Sequence, residues 1–188
     1  ATAYADIDLL PSLTINGRYT YAYDHLKTEK YYDRSTSIGQ SYKGQAFLSH
    51  EENVKHQIEG VATYHPKMEG KHDIKVTAGA SYIYQKGKGD EVQAYGFASD
   101  VFSFKNIGAA QHLDWIGSIK KASAFGRAEY IFNNRYILNA SVRADGSSVF
   151  GADYRWGIFP AGSIAWHLGE EKFMAWTKPV ISRIKLRT

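Results

Sequence analysis

Regular alternation of apolar and polar side chains constrains the fold of this 188-residue chain more than any other feature. The alternation runs through seven windows: residues 13–23, 54–64, 74–85, 124–130, 136–144, 156–168 and 181–188. A period of two places successive side chains on opposite faces of a β-strand. The pattern therefore predicts an all-β fold of about seven antiparallel strands, each with one apolar and one polar face.

Composition narrows the function classes. The chain has no Cys, which excludes disulfides and thiolate metal sites, and its net charge of +4 is scattered rather than gathered into a basic stripe. We therefore expect no nucleic-acid partner. No apolar run reaches the length of a transmembrane helix. This does not exclude membrane-spanning β-strands, because their apolar and polar faces alternate along the sequence and form no continuous apolar run.

The predicted connections alternate in length. Residues 24–53 and 86–123 form long connections, whereas residues 65–73 and 132–135 form short ones. Outer-membrane barrels have this arrangement, with short periplasmic turns and longer extracellular loops. The pattern favours antiparallel transmembrane β-barrel strands over a soluble sandwich, which has no reason to sort its loops in this way.

Tyrosines mark both ends of the apolar faces. A Tyr ring is apolar while its hydroxyl remains hydrated, so two Tyr bands typically bound the lipid-facing belt of a barrel. The tyrosines beside the short turns are Tyr64, Tyr130 and Tyr136, and those entering the long loops are Tyr19, Tyr21, Tyr23, Tyr82 and Tyr84.

Residues that could carry chemistry form no catalytic set, so we expect no enzyme activity, cofactor or metal. The seven histidines lack zinc-type spacing, and the Gly87–Asp90 segment has no helix after it to bind phosphate. One set of loop aromatics has two interpretations, stacking on a ligand or packing the long loop against itself. Its members are Tyr95, Phe97, Phe102, Phe104 and Trp115.

The hairpin around residues 132–135 allows a prediction of register. For the apolar sets of both strands to share a face, opposed residue numbers must sum to an even number. A three-residue loop, Phe132-Asn133-Asn134, gives the pairs Tyr130 with Tyr136, Ala128 with Leu138, and Gly126 with Ala140, with Arg127 opposite Asn139. The polar residues predicted to face the lumen are Arg127, Glu129, Asn139, Ser141 and Arg143.

An ordered string of motifs over residues 123–187 resembles a known family. It includes Gly126-Arg127-Ala128-Glu129-Tyr130, Asn134-Arg135-Tyr136-Ile137-Leu138, Ala144-Asp145-Gly146-Ser147-Ser148, Arg155-Trp156-Gly157-Ile158-Phe159-Pro160, Ala165-Trp166 and Glu170-Glu171-Lys172-Phe173-Met174. The string is similar to the barrel signature of the SusC/RagA family of TonB-dependent transporters.

The resemblance implies a 22-stranded outer-membrane barrel with an internal plug, typical of Bacteroidetes. Its implied function is active import of oligosaccharides or peptides, with a SusD-like surface lipoprotein and TonB as partners. The chain lacks plug and TonB-box segments, so we expect residues 1–188 to be an interior part of one barrel domain, in contact with lipid and the rest of that barrel. A small self-contained barrel with an adhesive or structural role is the alternative.

Overall fold

The computed structural model describes residues 1–100, 107–177, 181 and 183–188. Eight strands form one sheet in sequence order, so each strand neighbours the next. They are β1 (Thr2–Leu10), β2 (Leu13–Tyr32), β3 (Gln45–Tyr64), β4 (His72–Tyr95), β5 (Ala109–Phe132), β6 (Tyr136–Ser147), β7 (Trp156–Trp166) and β8 (Leu186–Arg187). Helix α1 (Ser37–Tyr42) and 3₁₀ turns at Ala152–Tyr154, Leu168–Glu170 and Lys172–Thr177 complete the described elements.

Strand β1 was missed by the sequence prediction of seven strands. Aspartate is uncommon in strands, and β1 carries Asp6 and Asp8 on its polar face. In the sheet, Asn16 Nδ2 donates to Asp6 at 2.5 Å and the Thr14 hydroxyl donates to Asp8 at 2.8 Å. Hydrogen bonds from β2 to the two carboxylates thus compensate for the low strand propensity of aspartate.

The long connections are much shorter than predicted. Strands β2 and β3 have 20 residues each and β4 and β5 have 24, so most of the expected loops is strand. The remaining long connections are residues 33–44 and 96–108, while residues 11–12, 65–71 and 133–135 are short. The alternation of lengths predicted for the first four connections is therefore retained. The segment after β7 contains two 3₁₀ turns, and within the predicted window 181–188 only Leu186–Arg187 is a described strand.

The chain divides into two compact units. Unit 1 comprises Ala1–Thr20, Gln57–Ile83 and Lys120–Thr188, and unit 2 comprises Tyr21–His56 and Tyr84–Ile119. Unit 2 holds the small core of Ala46, Ala94 and Phe97, the only buried hydrophobic side chains among the described residues.

The two long connections of unit 2 are joined by backbone hydrogen bonds. Gly96 N donates to Tyr42 O, and Phe97 N donates to Lys43 O, each at 2.9 Å. Helix α1 begins at Thr36, whose hydroxyl accepts from Gly39 N at 3.0 Å, and ends at the left-handed Lys43. The capped helix and the small core give the described residues of these connections a defined structure.

Burial in unit 1 is inverted relative to a soluble sheet. On β6 the apolar side chains of Leu138 and Val142 are each 49% exposed, whereas Asn139 and Ser141 between them are half-buried. We call the face carrying Leu138 and Val142 the outer face and the opposite one the inner face. A sheet whose apolar side chains are more exposed than the polar ones between them is suited to an apolar surrounding.

The β5–β6 hairpin confirms the predicted parity but not the predicted pairs. Phe132 pairs with Tyr136, and Ala128 pairs with Ala140, so the register is displaced by two residues from the prediction. Asn133 and Asn134 both adopt a left-handed φ of 53°, and Arg135 N donates to Phe132 O at 3.0 Å. The loop is therefore residues 133–135.

The displacement keeps every side chain on its predicted face. It also changes the inner-face partners, because Arg127 lies opposite Ser141 and Glu129 lies opposite Asn139. The predicted opposition of Arg127 and Asn139 is wrong. The requirement that opposed residue numbers sum to an even number could not exclude a register shift of two residues, since both registers keep the apolar side chains on one face.

This register predicts a selective disulfide. Because the chain lacks Cys, the double variant Glu129→Cys/Asn139→Cys places two thiols directly opposite each other, close enough to bridge. Mild oxidation of the folded barrel should crosslink this pair, measured as a mobility shift that reductant reverses.

The matched control is Arg127→Cys/Asn139→Cys, which the sequence-based register would join. In the observed register this pair is diagonal, at about 7–8 Å, and should crosslink much more slowly. Faster oxidation of the control pair would refute the observed pairing.

Candidate functional site

The inner face of unit 1 carries a polar cleft of about 480 Å³. Side chains from β1 to β6 line it, and both charge signs are present. The residues that define it are Tyr4, Asp6, Asn16, Arg18, Glu59, Ser81, Ser123, Phe125 and Arg143. The Ser81 and Ser123 hydroxyls are hydrogen-bonded across its floor at 2.7 Å. A larger cleft of about 700 Å³ shares Glu59 and Arg143, and Lys121 and Asp145 also line it.

The polar residues predicted on β5 and β6 share this face. Arg127 Nη2 donates to Asn139 Oδ1 at 3.2 Å and lies 3.5 Å from Glu129 Oε2, while Arg143 Nε donates to Asp145 Oδ2 at 2.8 Å. These ion pairs are exposed, so they contribute little to stability. Their effect is to present paired charges and hydrogen-bonding groups on the inner face.

The predicted loop aromatics divide into different environments. Phe97 is 1% exposed in the small core of unit 2, so packing replaces the ligand contact suggested for it. Tyr95 ends β4, and its ring centroid lies 5.9 Å from that of Tyr42. Phe102 and Phe104 lie outside the described residues.

Trp115 lies in strand β5 rather than in a loop, and its side chain is 47% exposed. Its indole packs against two glycines of β4. A Cβ added at Gly87 or Gly89 would approach the indole to 3.1 Å or 2.7 Å. The Gly-rich segment considered for phosphate is therefore strand, and its glycines make room for the Trp115 ring.

A third cleft, of about 320 Å³, lies in unit 2. Tyr32 and Phe47 line it with their rings edge to face and centroids 6.1 Å apart. Lys30, Glu51 and Glu91 add charge to the same lining. The combination of aromatic surface and polar groups resembles the lining of small-molecule sites.

His50 and His56, two of the seven histidines, contact carboxylate and aromatic side chains. His50 Nδ1 lies 3.5 Å from Asp90 Oδ2, and the His56 ring lies 5.2 Å from Tyr21 and 6.4 Å from Tyr84. Within the described ranges, no group of three or more His, Asp or Glu side chains is placed to hold a metal. No described helix is long and apolar enough to span a membrane.

Aromatic rings form a continuous belt at the turn end of unit 1. Neighbouring centroids are 5.1–6.5 Å apart along the series His72, Phe132, Tyr136, Trp166 and Phe173. Tyr130 joins through its hydroxyl, 2.7 Å from His72 Nδ1. We call these six residues the aromatic belt. The predicted Tyr130 and Tyr136 belong to it, whereas the sequence analysis did not assign the other four.

Glu171 fixes the polar edge of the aromatic belt. Its carboxylate accepts from the Tyr136 hydroxyl at 2.7 Å, from Trp166 Nε1 at 3.1 Å and from Arg135 Nη1 at 3.1 Å. The hydrogen bond from Tyr136, followed by that from Trp166, holds the pKa of Glu171 below its ordinary value. Glu171, which the sequence analysis names only as part of a motif, thus accepts hydrogen bonds from three side chains.

Known proteins with the same sequence pattern are TonB-dependent receptors. TonB-dependent receptor P3 of Formosa agariphila is 26% identical over 178 residues, which is 93% of this chain and 18% of that receptor. TonB-dependent receptor SusC of Bacteroides thetaiotaomicron is 45% identical over 65 residues, 35% of this chain and 6% of that receptor. The chain belongs to the SusC/RagA family of TonB-dependent receptors.

The fold agrees with this assignment. A structure of the RagAB peptide importer in its open-open state superposes with a TM-score of 0.82 at 20% identity, covering 99% of this chain and 21% of that one. No family model matches the sequence. This SusC/RagA-family chain therefore spans about a fifth of the length of TonB-dependent receptor P3 and of the RagAB chain, and the shared region is antiparallel barrel strand.

Replacing Glu171 should weaken the barrel in a pH-dependent way. Because its pKa is lowered in the folded state, ionised Glu171 stabilises the fold above its ordinary pKa, and that contribution is lost as pH falls through the lowered value. Glu171→Gln should therefore lower the thermal midpoint at neutral pH, and its deficit should shrink in acid.

The midpoint can be followed by the heat-dependent gel mobility of the folded barrel. Glu69→Gln is the matched control, since Glu69 is an exposed carboxylate in the short connection 65–71. A deficit for Glu171→Gln that is independent of pH, or equal to that of the control, would count against the role assigned to the carboxylate.

Proposed function

We propose that this chain forms part of the barrel wall of an outer-membrane importer that takes up a sizeable nutrient, an oligosaccharide or peptide, with energy supplied through TonB. Residues 1–188 then belong to a single barrel domain. The observation that carries the proposal is the inverted burial of unit 1, where Leu138 and Val142 are exposed and Asn139 and Ser141 are half-buried. Lipid outside and water inside account for both faces.

The comparisons support the transport class. The relatives are TonB-dependent receptors, and the structural neighbour is a peptide importer. By analogy with the two-component RagAB importer, the partner of this receptor is a SusD-like surface lipoprotein. The importer works without covalent chemistry, so the barrel is not an enzyme.

The inner-face residues have a direct role in this proposal. Arg127, Glu129, Asn139, Ser141 and Arg143 supply a hydrated wall for the lumen, with cations and carboxylates paired closely enough to avoid trapping a charged nutrient. Trp115, Tyr95 and the aromatic cleft of unit 2 supply ring surfaces on which a sugar or an apolar peptide side chain packs.

Uptake of a nutrient tests the transport role. A strain lacking the full-length receptor gene should fail to grow on one member of a panel of oligosaccharides and peptides, and the wild-type gene should restore growth. Trp115→Ala should raise the half-saturating concentration of that nutrient by roughly fivefold, because one stacking contact on an aromatic ring contributes about 1 kcal/mol.

Trp115→Phe is the conservative control, since it retains a ring over Gly87 and Gly89. Equal growth with and without the receptor on every nutrient would contradict import and leave an adhesive or structural role. An unchanged half-saturating concentration for Trp115→Ala would show that Trp115 does not contact the nutrient, and would leave the import function itself intact.

The lipid-facing assignment of β6 predicts asymmetric effects of arginine. Leu138→Arg places a cation in hydrocarbon at mid-span and should destabilise the barrel by about 2–4 kcal/mol. Ser141→Arg, on the inner face of the same strand, should cost much less. Unfolding of the two variants in urea, reconstituted in lipid vesicles, gives the comparison, and equal losses would oppose the assignment.

A further inference from the structure

A groove of about 210 Å³ lies on the outer face of unit 1. Its floor is made of small residues, because Ala122 pairs with Gly146. Gly146 pairs in turn with Trp156, whose ring atoms lie within 2.9–3.0 Å of the position where a Gly146 Cβ would be. Tyr82 of β4 forms the other wall. Two aromatic rings, that of Tyr82 and the Trp156 ring that covers Gly146, thus flank the small side chain of Ala122.

Positive charge lies at the same groove. Lys120 and Arg155 line it, and its described lining includes no carboxylate. Both residues are held in place: Lys120 N donates to Ser148 Oγ and Ser148 N donates to Lys120 O, each at 2.9 Å. Arg155 Nε donates to Phe150 O at 3.4 Å. Lys121 also borders the groove, but as the next residue in β5 its side chain turns to the inner face, where it lines the 700 Å³ cleft.

The groove lies at the ends of β6 and β7 that are opposite the aromatic belt, about midway along β4 and β5. Trp156 is 62% exposed and Tyr82 is 43% exposed, which suits rings at a membrane interface. An apolar floor beside two cations matches a ligand with a hydrocarbon chain attached to a phosphate. Arg and Lys both bind phosphate through charge-assisted hydrogen bonds.

We propose that this groove binds a phosphate-bearing lipid of the outer leaflet. The first carbons of one acyl chain lie on Ala122 between Tyr82 and the Trp156 ring, and the phosphate lies between Lys120 and Arg155. The site is separate from the inner-face clefts, so it takes a lipid and not the nutrient. It rests on the proposed outer-membrane location of the barrel.

Native mass spectrometry of the full-length receptor in detergent tests the site, with diphosphoryl lipid A as the added probe. Lys120→Gln and Arg155→Gln should each lower the affinity for the probe by about tenfold, the usual loss when a charge-assisted hydrogen bond is removed. Lys75→Gln is the control. Lys75 precedes the outer-face Val76 on β4, so its side chain lies on the inner face, and the substitution removes the same charge away from the groove. Heat-dependent gel mobility verifies that each variant is folded.

Two further probes identify the ligand chemistry. Lipid A without phosphates should bind at least tenfold more weakly, and sodium phosphate should not displace the diphosphoryl form. Equal binding of both lipids, displacement by inorganic phosphate, or equal binding by Lys120→Gln and Lys75→Gln would each overturn the lipid site. Nutrient uptake is measured separately. Variants that no longer bind the lipid but still import the nutrient would leave the proposed function intact. Failure of the wild-type receptor to import any nutrient would refute the proposed function but not the lipid site.

Discussion

The β-ladder satisfies the backbone hydrogen bonds of each interior strand through its neighbours, and the rest of this structure depends on that constraint. Strand β6 is paired along its length with β5 on one side and β7 on the other. Because the backbone needs no water, one face of the strand can be entirely apolar. Only three described hydrophobic residues are buried, so the sheet is organised by its ladder and cross-strand contacts instead of a conventional core.

Aromatic rings packed on glycine recur as the cross-strand contact. Trp115 lies on Gly87 and Gly89, Phe125 lies on Gly79, and Trp156 lies on Gly146. In each case a Cβ on the glycine would come within about 3 Å of the ring, so the glycine creates the space that the ring fills. This device positions a large side chain without a core behind it. It explains how both faces of the sheet carry defined aromatic surfaces despite their exposure.

Alternation was sufficient to predict the fold class, the faces and the order of loop lengths, because each follows from the two-residue period of a strand. It failed where neither face is apolar, as in residues 24–32 of β2, where the ladder continues without the pattern. It also failed at the carboxylates of β1, which depend on partners in β2. Glu171 was missed for the same reason: its three donors come from residues that only the fold brings to it.

The polar groups at the two ends of β6 set the thickness of its apolar region. Glu171 at one end is ionised and hydrogen-bonded to Tyr136, and such a carboxylate is stable only at the hydrated edge of a membrane. At the other end, Lys120 and Arg155 lie beside Gly146. From Tyr136 to Gly146 the strand extends about 33 Å at roughly 3.3 Å per residue. A tilt of about 40–45° reduces this to roughly 24 Å, close to the apolar band of about 25 Å in outer-membrane barrels. The outer face of β6 is therefore as long as one crossing requires, and the charged groups lie where that crossing ends.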